Sequence, residues 1–162
     1  MHTVTTIEGD GRAEGFRFAL VVSTYHDFIT DKLQAGALAA LAAAGAGGDV
    51  VIVRVPGAFE IPVAAQHAAE TDRFDAIICL GCLIRGETPH MEYIASAVAG
   101  GLTAAAGATG VPMAFGVLTT NSVEEAIARA GDGPSNKGHE AASAAIAMAS
   151  VVAQLTRPPA AS

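Results

Sequence analysis

Four short stretches of the chain are almost wholly apolar and rich in β-branched or aromatic residues: Phe16–Val22, Val50–Val55, Phe74–Leu80 and Met113–Leu118. Runs of that length predict strands buried on both faces. Between them the pattern changes to helical spacing. Asp27–Ala44 carries Phe28, Leu33, Ala37, Leu38 and Leu41 at helical spacing and stops at Gly45-Ala-Gly-Gly48. A second helix is expected over Ile61–Ala69, with Pro62 in its first turn, where a missing N–H costs little. Thr88-Pro89 reads as a capping hydroxyl followed by proline at the first position of a third helix. Ser122-Val-Glu-Glu125 is a capping-box pattern opening a fourth. After Gly131-Asp-Gly-Pro134, a last alanine-rich helix covers about Lys137 to Leu155.

The resulting order, β-α-β-α-β-α-β-α-α, shows no linker-like break and no internal repeat. Strands without a polar face need helices on both sides of a parallel sheet. Right-handed crossovers then give an α/β fold, a three-layer α/β/α sandwich of the flavodoxin-like kind with four parallel strands. The expected division is an N-terminal arm over 1–15, one domain over 16–156 and a tail over 157–162. Val4–Ile7 belongs to no helix or core strand, so the arm is expected to need another surface.

Composition narrows the partners. The 162 residues carry a net charge of −7, which disfavours nucleic acid and anionic membrane surfaces. Only 15% are charged and 51% are hydrophobic, which excludes disorder and leaves apolar surface for burial between subunits. The opening MHTVTTIEGDGR has no basic segment followed by an apolar run, so no secretory signal is expected. Two cysteines make no disulfide framework, and a reducing cytoplasm is the expectation. Tyr93–Val123 is free of charge and long enough for a membrane span. Gly100-Gly101, Gly107, Gly110 and Pro112 interrupt it, so helix, loop and buried strand are expected there.

In such sheets ligands bind beyond the carboxyl ends of the strands. Four loops there carry the unusual chemistry: Ser23–Asp27, Val55–Glu60, Gly81–His90 and Leu118–Ser122. Tyr25 and Phe59, two histidines, several carboxylates and Arg85 converge on one edge, which suits a flat ring gripped by aromatic contact and read by polar groups. Taken singly, Tyr25 or His26 is as readily a solvated loop residue. The loop ending at His90 leads into a helix N-terminus, where free N–H groups and the dipole favour phosphate. Positive charge has to come from elsewhere. Arg129 and Lys137 bracket the glycine-rich turn, although Arg129 read alone is first a surface ion-pair residue. His90 on a first helical turn can pass protons or simply cap, and Glu140 can orient it if the last helix packs nearby. Cys79-x-x-Cys82 raises a redox reading, but a strand places residues three apart on opposite faces. No spacing suggests a metal site, and Gly81-x4-Gly86 lacks the Lys-Ser/Thr of a P-loop.

Five segments resemble one family: Val55-Pro-Gly-Ala-Phe-Glu-Ile-Pro62, Gly81-Cys-Leu-Ile-Arg-Gly-Glu-Thr-Pro-His90, Phe115-Gly-Val-Leu-Thr-Thr120, Ala126-Ile-Ala-Arg-Ala-Gly131 and Asn136-Lys-Gly138. They are similar to 6,7-dimethyl-8-ribityllumazine synthases, in register from about Ile7 to Val151. The resemblance implies the penultimate step of riboflavin biosynthesis, without a cofactor. 5-Amino-6-(D-ribitylamino)uracil condenses with 3,4-dihydroxy-2-butanone 4-phosphate, releasing phosphate and water. By position, Tyr25 would stack on the pyrimidine, and His26 would face the ribityl chain with Glu60. The backbone of Ala58, Phe59, Cys82, Leu83 and Ile84 would hold the uracil edge and ribityl group. Gly86, Glu87 and Thr88 would cradle phosphate with Arg129, and His90, oriented by Glu140, would shuttle protons.

The resemblance further implies a homopentamer in which Phe115, Arg129 and Lys137 enter a neighbour's pocket and the arm adds a strand to the neighbour's sheet. The uninterrupted turn Ala130–Asn136 is similar to that of members closing into a 60-subunit icosahedral shell, and association with riboflavin synthase is a further implied partnership. Two departures stand out. Ser23-Thr-Tyr-His26 replaces a usual Ser-Arg-Phe-Asn, and Met91-Glu92 replaces a commoner aromatic–Asp pair. A flavin-binding or container protein without turnover is the rival these departures raise.

Overall fold

In the computed structural model, which describes residues 1–48 and 50–157, four strands form one parallel sheet. They are β1 (Phe18–Ser23), β2 (Val51–Val55), β3 (Ala76–Ile84) and β4 (Met113–Thr120), in the order β2-β1-β3-β4. Five helices connect and follow them: α1 (Asp27–Ala43), α2 (Ile61–Glu70), α3 (His90–Thr109), α4 (Val123–Arg129) and α5 (Lys137–Thr156). The α/β sandwich expected from the sequence is present.

Side-chain alternation along the strands builds the two faces. Phe18, Leu20 and Val22 of β1, with Ile78, Leu80 and Cys82 of β3, pack against α1 and α5. Ala19 and Val21, with Ile77, Cys79 and Leu83, pack against α2 and α3. Helices α1 and α5 approach closely enough that a Cβ on Gly138 would fall 1.9 Å from the Leu33 carbonyl oxygen. Only glycine fits there. Asn136 fixes the entry to α5. Its Oδ1 accepts from the N–H groups of Gly138 (2.8 Å) and His139 (3.1 Å), while its amide donates to the carbonyls of Lys32 (3.1 Å) and Gly131 (2.9 Å).

Some boundaries differ from those the sequence predicts. Strand β3 continues past Leu80 to Ile84 because β4 also continues and stays paired with it to Ile84↔Thr120. Gly81 and Cys82 therefore lie in the sheet rather than in a loop. Helix α3 begins at His90 with Pro89 as its cap, and Thr88 makes no capping bond, since Pro89 at ψ 14° is not yet helical. The Ser122 cap forms as expected, its Oγ accepting from the Glu125 N–H at 3.1 Å. The Glu125 carboxylate, however, accepts from the Asn121 N–H (2.9 Å) instead of completing the reciprocal bond.

Among the described residues the arm has no strand partner, and Val4 is 85% exposed. From Glu8 onward the chain lies on α5: the Gln154 side chain donates to the Glu8 carbonyl (2.7 Å) and the Asp10 N–H donates to Ser150 Oγ (3.3 Å). Of the tail, residues 158–162 lie outside the described residues. Among the described residues no helix is long and apolar enough to cross a membrane.

Candidate active site in two halves

The loops after β1 and β2 are zipped together beyond the sheet. The Thr24 N–H donates to the Val55 carbonyl (2.8 Å) and the Tyr25 N–H to the Pro56 carbonyl (3.1 Å). The chain then reverses through His26 in the left-handed region at φ 58°, a conformation that asparagine adopts more readily than histidine. After β2, Ala58–Glu60 tighten into one 3-10 turn, where the sequence pattern predicts only loop.

These loops and the end of β3 enclose a cavity of about 510 Å³. Tyr25, His26, Ala58, Phe59, Glu60, Cys82, Leu83, Ile84, Gly86, Thr88 and His90 all line it. Glu87 does not. Met91, Ile94 and Val123 line it as well and escape a reading of the sequence, because apolar helix positions look like core. Met91 and Ile94 stand one and four residues after His90, so their place in the helical repeat is the available signal.

His26 sits between two rings edge-on, with centroids 4.5 Å from Tyr25 and 5.9 Å from Phe28. Burial among them pushes its pKa down from the ordinary value near 6.5, which favours a neutral imidazole offering one donor and one acceptor. The sign of the stability effect follows. The unfolded chain binds the proton at higher pH than the folded one, so this contribution is present above the unfolded pKa. It is lost as pH falls through that value toward the lower folded one. Urea denaturation of wild type and His26→Asn between pH 7.5 and 5 is expected to show a steeper loss for wild type. Parallel profiles would mean that His26 titrates alike in both states.

A second hollow, of about 330 Å³, runs along the unpaired edge of β4 against α5. Phe115, Thr119, Arg129, Lys137 and Glu140 line it. Arg129 donates to the Glu125 carbonyl (3.1 Å), and among the described residues no carboxylate pairs with it. The Lys137 ammonium donates to the Glu140 carboxylate at 2.7 Å.

The two hollows share no lining residue. His90 opens α3, in the layer beneath one face of the sheet, while Glu140 opens α5, in the layer beneath the other. Within one chain Glu140 therefore contacts Lys137 and not His90. Tyr25 is 66%, Phe59 63% and Phe115 49% exposed, so each of these rings leaves a face open.

The two cysteines are free, buried and not placed to join each other. Cys79 packs with α2 and α3 and Cys82 with α1 and α5, so the sheet separates the two sulfurs. Burial pushes their pKa values up to about 12 and about 11, which keeps both as inert thiols. Among the described residues no cluster of three or more metal-ligating side chains occurs.

Known proteins resemble this chain over most of its length. A family described as 6,7-dimethyl-8-ribityllumazine synthase matches residues 15–153. A protein of Syntrophus aciditrophicus (strain SB) bearing that name is 50% identical over 156 residues, covering 96% of this chain and all of the relative. One of the same name from Salinibacter ruber (strain DSM 13855 / M31) is 50% identical over 152 residues, covering 93% and 97%.

Proposed function

The chain belongs to the 6,7-dimethyl-8-ribityllumazine synthase family, and from that premise we propose how its residues divide the work and how many chains one site needs. The enzyme is a transferase of riboflavin biosynthesis. It condenses 5-amino-6-(D-ribitylamino)uracil with 3,4-dihydroxy-2-butanone 4-phosphate, releasing phosphate and water.

The observation that carries the assignment of residues is the division of the expected site between two hollows that share no lining residue. A complete site forms where the first hollow of one subunit closes against the β4–α5 flank of its neighbour. Tyr25 then stacks on the pyrimidine. Neutral His26 and the Glu60 carboxylate read the ribityl hydroxyls, with the backbone of Ala58, Phe59 and Cys82–Ile84 along the uracil edge. Gly86, Glu87 and Thr88 hold the phosphate at the start of α3, where unpaired N–H groups and the helix dipole attract an anion. The neighbour supplies Phe115 as a second ring, Arg129 as the bidentate phosphate partner, and Lys137 with Glu140. Closing the interface brings Glu140 to His90.

The chemistry asks for little beyond placement. The substrates bring their own amine and carbonyl, so no protein nucleophile is required. Imine formation, phosphate loss and ring closure need proton transfers that one imidazole can relay, worth about 100- to 10,000-fold. Holding two reactants in near-attack geometry contributes about 7 to 11 kcal/mol. Placement therefore outweighs proton transfer.

An assembly follows from the same division. The sheet ends at β2, whose outer edge is unpaired and whose Ile52 is 37% exposed. Val4–Ile7 of a neighbour's arm supplies the missing strand there. A homopentamer is the assembly proposed, with the turn Ala130–Asn136 compatible with closure into a 60-subunit shell and with association of riboflavin synthase. Cytoplasmic residence fits two buried thiols.

The test mixes purified protein with both precursors and follows lumazine fluorescence. Turnover is expected. A folded oligomer that binds the pyrimidine without converting it would favour the binding or container reading, with the Tyr25-His26 loop as the altered element.

A further inference from the structure

Where β3 passes into α3, one cation is held by three elements. The Arg85 N–H donates to the Thr120 carbonyl at the end of β4 (2.8 Å), and Arg85 Nε donates to Asn121 Oδ1 (2.9 Å). Its Nη1 donates to the Glu92 carboxylate on the first turn of α3. Asn121 is fixed in turn, since its own N–H donates to the Glu125 carboxylate (2.9 Å). The arrangement has a local cause. Glu92 is the third residue of α3, the position from which a carboxylate commonly reaches back to the N–H of the capping residue. Here that residue is Pro89, which has no N–H. The carboxylate turns to Arg85 instead.

Stability does not account for the pair. The Arg85 and Glu92 side chains are 45% and 50% exposed, and exposed ion pairs contribute little. Electrostatics does. Between them runs Gly86–Pro89, the segment that carries Gly86 and Thr88 to the cavity. Two carboxylates, Glu87 within that stretch and Glu92 three residues beyond it, put negative charge near a phosphate held there by the segment's backbone. Among the described residues Arg85 is the one cation paired with either. We propose that Arg85 is a positioning residue for the phosphate substrate, which acts through Glu92 by masking its charge beside the phosphate segment. The proposal rests on the phosphate site assigned above.

Inorganic phosphate, used as a competitive inhibitor against the four-carbon phosphate, reads that site directly. In Arg85→Gln its inhibition constant is expected to rise about fivefold, with the pyrimidine KM unchanged. Arg85→Lys, which keeps the charge, and the double variant Arg85→Gln/Glu92→Gln, which removes both charges, are expected to stay within about twofold of wild type. An unchanged constant in Arg85→Gln would overturn the proposal, and so would a raised constant that the double variant fails to lower, since Arg85 would then touch phosphate itself or merely hold the loop. If phosphate does not compete in the wild type, the assigned phosphate site falls first and the masking role with it.

Discussion

Oligomers assembled from equal parts of His90→Ala and Arg129→Ala subunits are expected to turn over faster than either variant alone, recovering about one quarter of the wild-type rate. Each variant by itself is defective in every site. His90→Ala lacks the proton relay, and kcat is expected to fall about 100-fold, because placement survives. Arg129→Ala lacks the cation proposed to grip phosphate. If one chain supplies the His90 hollow and its neighbour the Arg129 hollow, random mixing joins two intact halves at about one site in four. The test is a denaturation and refolding of the two variants together, with incorporation of both checked by mass spectrometry. Mixed oligomers no faster than the average of the separate variants would show that one chain builds a whole site. The geometry makes that outcome hard to reach, since α3 and α5 lie on opposite faces of the sheet.

The second large effect belongs to Arg129 alone. Removing one partner of a desolvated charge pair costs about 2 to 5 kcal/mol, which corresponds to a rise of about 30-fold or more in the KM of the four-carbon phosphate. The pyrimidine KM is expected to hold, because no ring or ribityl contact is assigned to this side chain. Arg129 is suited to the role by what it does not do: its guanidinium donates to a single carbonyl and pairs with no carboxylate among the described residues. Steady-state kinetics with each substrate varied in turn decides the matter. An equal loss for both substrates would mean that Arg129 shapes the interface rather than the phosphate.

Much of the fold is written in local chemistry. The apolar runs that form β1 to β4 need no tertiary information, and Ser122 announces the start of α4 because a hydroxyl three residues before a glutamate has one obvious use. The ends of elements are harder. Gly81-Cys82 looks like a turn until β4 is known to run beside it, since the decision rests on backbone pairing rather than on side chains. Proline is common at a first helical position, which is what Pro89 suggests from sequence, whereas its ψ of 14° makes it the cap.

The residues that line the two hollows are legible as a set, whereas their division between the hollows is legible only in part. The family resemblance assigns Phe115, Arg129 and Lys137 to a neighbour's pocket, but it leaves Glu140 beside His90 without saying from which chain. Nothing in the family motifs says which side of the sheet each residue occupies. Apolar lining residues such as Ile94 stay hidden for another reason: a cavity wall and a core contact have the same composition.

Strand β3 gives its even-numbered side chains to one helical layer and its odd-numbered ones to the other. Its sequence can therefore drift freely in identity but not in length. Ile, Val, Leu or Cys can replace one another at small cost as volumes compensate. Loss or gain of a single residue would exchange the faces of everything beyond it, presenting to α1 and α5 the side chains shaped for α2 and α3. It would also turn the strand's final residues, which frame the cavity, the wrong way round. Over evolutionary time this segment should behave as a fixed ruler between the two halves of the site, with insertions confined to the loops at its ends.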